Sequence, residues 1–146
     1  MTVDGAFALA ATGGDGTAPR GIADFFDRHQ ADASGSTADD CTGIGTVYAG
    51  GGAMANEALL AQVVGRDPRA FGGHDLIAGL DGTVCTAVSK APDTNCPAVG
   101  ASMNSPSVFS RALGIMAEMR AGNARSAAAP VSYLESQETA AAGGRA

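Results

Sequence analysis

Tryptophan is missing from this 146-residue chain, tyrosine occurs twice and lysine once. Large aliphatic and phenylalanine side chains are also scarce: Leu, Ile, Val and Phe together number 25, against 31 alanines. That share lies under the roughly 20% below which a chain struggles to fill an interior. The formal charge of −6 is only moderate, so the expectation is a folded but thinly cored domain. A lean core is commonly completed by a partner surface, a metal, a disulfide or self-association.

Other absences exclude whole classes of function. With one Lys, scattered Arg and a pI near 4.6, there is no basic stripe to follow a phosphate backbone, which argues against direct nucleic-acid binding. No apolar run approaches the roughly 18 residues of a membrane helix, and no basic region precedes the short apolar stretch Ala6 to Ala11. A soluble protein without a signal peptide is expected, cytoplasmic or within an assembled particle. Three cysteines, Cys41, Cys85 and Cys96, make no secreted-type framework, and without C-x-x-C or a nearby histidine pair they make no zinc pattern.

What is present reads as an α+β domain. Asp75 to Val88 carries two short strand-like runs around Asp81-Gly82, a dipeptide suited to a type I′ turn, with Leu76, Ala78 and Leu80 on one face of the first strand and Val84, Thr86 and Val88 on one face of the second. The pattern predicts a small antiparallel sheet containing this hairpin (about 75–88), packed by two or three helices (about 19–31, 53–65 and 105–121), with long loops and extended termini. Residues 1–16 read as an N-terminal arm or edge strand, 17–123 as the domain, and 124–146 as a C-terminal arm or flexible tail.

The helical signals have identifiable causes. Pro19 suits a first turn, and Ile22, Phe25, Phe26 and His29 follow at helical spacing. Leu59, Leu60, Val63 and Val64 form a second stripe that Pro68 stops, leaving Glu57, Gln62 and Arg66 wet. Ser105 caps the third, Pro106 opens it and Gly122-Asn123 ends it. Its apolar face, Val108, Phe109, Ala112, Ile115, Met116 and Met119, is expected to cover the hairpin.

Candidate sites are few. A short strand at Ile44 to Tyr48 runs into Gly50-Gly51-Gly52, so the following helix start, Gly51, Gly52 and Ala53, is a candidate anion site through its outward backbone amides. The stretch Gly50 to Leu59 also resembles the glycine-rich turn and helix of the sugar kinase, actin and Hsp70 superfamily, where that turn lies near the nucleotide's adenosine. The likeness spans ten residues, and the superfamily's phosphate loops and paired large domains have no counterpart in so short a chain. Cys85 and Cys96 are close enough to pair, pinning the loop between them, while in a reducing compartment both would remain thiols. Asp32, Ser34, Ser36, Asp39 and Asp40 offer oxygens, but their spacing departs from a calcium loop and reads as a solvated surface. His74-Asp75 sits at an element entrance, where neighbours point apart.

No catalytic set, metal set or cofactor motif emerges. The reading is a non-enzymatic structural or assembly protein, such as a subunit or accessory component of a virus or phage particle or another multi-copy complex. Its partners would be other protein subunits, in a homo-oligomer or larger assembly. The alternatives are a small ligand-binding or enzymatic domain using the Gly50 to Gly52 helix start for an anion, and a metal or redox role for the cysteines and histidines.

Overall fold

The computed structural model of the chain describes residues 3–13, 16–28, 50–90, 96–103 and 107–143. In chain order the elements are α1 (Val3–Ala11), α2 (Thr17–Arg28), α3 (Gly51–Val63), a 3₁₀ turn (Pro68–Ala70), α4 (Leu76–Gly82), α5 (Val108–Arg120) and α6 (Ala124–Gly143). Among the described residues there is no strand, only two isolated bridges, Phe71 with His74 and Val84 with Ser102. The expected α+β fold with its antiparallel sheet is therefore incorrect for this region: the architecture is helical.

The hairpin fails for a local reason. Leu76 and Leu80 satisfy an alternating pattern and an i, i+4 helical pattern equally well, and Ile77 beside Leu76 completes the helical stripe. Leu76, Ile77 and Leu80 are buried, while Ala78 is exposed. The Asp75 carboxylate accepts from the Ala78 amide at 2.9 Å and so caps α4. Asp81-Gly82 closes that helix, and Thr83 finishes it by donating its hydroxyl to the Leu80 carbonyl at 2.8 Å. The paired positive-φ turn falls nine residues earlier. Gly72 (φ 60°) and Gly73 (φ 80°) let Phe71 and His74 exchange backbone bonds of 3.1 Å each, an arrangement that only glycine adopts easily at both positions. Of the supposed second strand, Val84 alone bridges, and Thr86 and Val88 are exposed.

The described residues near the two ends are not extended either. α1 buries Ala6 and packs Val3 and Phe7 on the core, and α6 is a helix of 20 residues containing Pro130. α3 is the centre, touching α1, α4, α5 and the 3₁₀ turn. It buries Met54, Ala55, Ala58, Leu59, Leu60 and Ala61, so it is apolar around most of its circumference, as a central helix must be. Glu57, expected to be wet, is buried, and Val63, expected to be buried, is exposed. The helix ends at Gly65 (φ 77°), with the Arg66 amide donating to the Ala61 carbonyl at 2.7 Å, before Pro68 is reached. Small buried residues on α3 and its heaviest neighbour α5, including Gly114 and Ala117, let the two backbones approach, and Gln62 Nε2 donates to the Ala117 carbonyl at 2.9 Å.

α2 is tied to the end of α3 by charge. Arg66 donates to Asp24 and, at 2.6 Å, to Asp27, whose other oxygen accepts from the Gly72 amide at 2.7 Å. Ile22 and Ala23 face inward, and Phe26 packs against the core edge-on to half-exposed Phe25. α5 is capped by Ser107, whose hydroxyl accepts from the Ser110 amide at 3.1 Å, and it ends as expected at Gly122 (φ 75°), with the Asn123 amide donating to the Glu118 carbonyl at 2.8 Å. Ser105-Pro106, His29, Cys41, the acidic loop and the Ile44 to Tyr48 strand lie outside the described residues.

Candidate functional site

The helix start singled out in the sequence is the first turn of α3. Gly50 precedes it in extended conformation and no side chain caps it. Gly51 is buried, and a Cβ there would lie 2.9 Å from Thr83 Oγ1, 3.3 Å from Ser102 Oγ and 3.6 Å from Arg111 Nη2. The glycine is required because these three groups already fill the space beside it. Gly52 and Ala53 are partly buried, and none of the grooves described below is lined by Gly51, Gly52 or Ala53.

Arg111 belongs to a buried polar junction that the sequence does not advertise. It donates to Ser102, and its side chain is buried, as are Thr83, Ser102 and Glu118. Burial lowers the Arg111 pKa, and the nearby negative charge of Glu118 opposes that shift. Glu118 is fully buried; burial and then the neighbouring Asp81 carboxylate raise its pKa to about 7, with Arg111 pulling the other way. Asn123 Nδ2 donates to both Asp81 oxygens, at 3.1 and 2.9 Å. Glu118 and Asp81 thus stand close together, the first carboxyl fully buried and the second held by Asn123. Together these residues join the end of α4, Ser102 and α5.

The described residues after α4, 83–90 and 96–103, are tied to one another. Cys85 and Cys96 are joined by a disulfide with Cα atoms 5.5 Å apart, and the Cys85 amide and carbonyl bond to Ala101 and Gly100 at 2.9 and 2.8 Å. Gly100 (φ 82°) lies against α6 so closely that a Cβ would collide with the Ala129 carbonyl oxygen. Asp75 is the α4 cap, with Arg69 Nη1 3.8 Å from its other oxygen. Among the described residues no group of three or more His, Cys, Asp or Glu side chains is placed to hold a metal, and no helix is long and apolar enough to cross a membrane.

The outer face of α5 is apolar. α5 packs with Arg111, Gly114, Ala117 and Glu118 inward, which sends Val108, Phe109, Met116 and Met119 outward at 53–71% exposure. The expected core face of α5 is therefore mostly its outer face. Between α5 and α6 runs a groove of about 660 Å³ floored by Val108, Ala112, Ile115, Met116, Val131 and Leu134, with Glu135 and Glu138 on its edge. A second groove of about 200 Å³, between α1, α3 and α5, is lined by Phe7, Leu59, Val63, Leu113, Met116 and Arg120. Met116 is common to both, so the two make one continuous strip. The sequence contains the signal for this surface, a run of large apolar residues on one helix, but not its direction. No protein-family model, curated protein or solved structure matches the chain.

Proposed function

We propose that the protein is a non-enzymatic component of a multi-copy assembly, associating with other protein subunits through the outer face of α5 and α6. The observation that supports this reading is the outward array of Val108, Phe109, Met116 and Met119 on a chain with few large apolar residues. A protein that can fill its core only sparsely gains by keeping such side chains inside, unless they are covered elsewhere. Methionines suit the role because their flexible thioether chains adapt to an irregular counter-surface. The polar junction around Arg111 and Glu118 fits the same picture, since it holds α5 in the orientation that presents this face.

Sedimentation velocity of the purified chain across a wide concentration range tests the reading. The expected outcome is a concentration-dependent mass above the 14.3 kDa of one chain. A single species of 14.3 kDa at every concentration would overturn it.

A further inference from the structure

The apolar strip along α5 has charges at its two ends, and they are of opposite sign. Glu135 and Glu138 edge the end near Val108, and Arg120 borders the end near Met119. All three are exposed, and among the described residues none of them forms an ion pair. α5 separates the ends by its length, about 18 Å at 1.5 Å per residue, with Met116 on the shared floor between them.

We propose that this face is self-complementary and docks a second copy of the chain about a two-fold axis near Met116, the two α5 helices running antiparallel. In that arrangement residue i of one copy meets residue j of the other and the reverse contact follows by symmetry. Arg120 of each copy then lies over the Glu135 and Glu138 edge of the other, twice per dimer, while Phe109 of one copy covers Met119 of the other and the two Met116 side chains meet near the axis. A parallel pairing would set Arg120 against Arg120 and the glutamates against glutamates, so charge selects the antiparallel one. A basic amphipathic peptide in the groove would satisfy the glutamate end and be repelled at Arg120. A second copy satisfies both.

The proposal rests on the assembly reading and specifies its surface, so its test uses four forms of the full-length chain in sedimentation equilibrium, with circular dichroism as a check on helix content. Met116→Glu places two carboxylates at the axis and is expected to weaken self-association by at least ~100-fold with helix content unchanged. Arg120→Glu is expected to weaken it by roughly 10-fold or more, and adding Glu135→Arg and Glu138→Arg to that variant to restore it to within about 3-fold of the unmodified chain. Self-association that survives both single variants would overturn this surface while leaving the assembly reading standing. Loss in Arg120→Glu without recovery in the triple variant would overturn the antiparallel pairing. An unmodified chain that stays at 14.3 kDa would overturn the assembly reading and this one with it.

Discussion

Glu118 shows how one buried group can set the behaviour of its surroundings. Its pKa is raised from 4.5 to about 7, first by burial and then by Asp81. Between those two values the folded chain holds a proton that the unfolded chain has released, so stability falls as pH rises from about 4.5 to about 7 and is level beyond. The contribution is fully present below the ordinary carboxyl range and lost through the folded pKa. Glu118→Gln keeps the neutral form at all pH values and removes this dependence. In urea unfolding, the variant is expected to match the parent near pH 4 and to exceed it at pH 8 by on the order of 2 kcal/mol. A variant less stable than the parent at pH 8 would show that the charged carboxylate is the form the fold uses.

At the scale of elements, α4 and α5 carry the principal corrections to the sequence reading, and for different reasons. Residues 76–82 hold a pattern that a strand and a helix share at Leu76 and Leu80, and what separates them is the Asp75 cap, a bond over three residues. Asp75→Ala is expected to cost about 1 kcal/mol in urea unfolding through loss of that cap. A strand in a hairpin turning at Asp81-Gly82 would have no such dependence on Asp75. In α5 the helix, its Gly122 stop and its apolar stripe were all legible, but the stripe faces out. Periodicity says that a helix has two faces and that one differs from the other. Which of them is buried depends on what α3 and α4 offer, here small residues for Gly114 and Ala117 and the Asp81–Asn123 pair for Glu118.

At the scale of the whole molecule the disulfide ties Cys85, just after α4, to Cys96, shortly before the contact of Gly100 with α6. Joining Cys85 to Cys96 closes a loop of 11 residues in sequence separation. Cys96→Ser, or a reductant added to the unmodified protein, is expected to lower the unfolding free energy by about 2–3 kcal/mol, read as a drop in the urea midpoint. Thiol titration of the unfolded, unreduced chain should find one free cysteine of three, since Cys41 has no second partner left within the chain. Three reactive thiols per chain would remove the disulfide from the description of the native state. The lean composition acts at this scale too: with so few bulky residues, placing Val108, Phe109, Met116 and Met119 outside is affordable only if another surface covers them.

What the amino-acid sequence determined by itself is the chemistry that acts over three to five residues. Pro19 in the first turn of α2, the glycine ends of helices and the scarcity of core-forming side chains can all be read without knowing any neighbour. The tertiary structure alone decided that 75–88 is no hairpin, that both described ends are helical, and that α5 turns Arg111 and Glu118 inward. Capping and turn preferences are local free energies, whereas burial is a property of contacts between residues far apart in the chain. A residue pattern can therefore specify that a face exists, and only the packing of the other helices specifies which way it points.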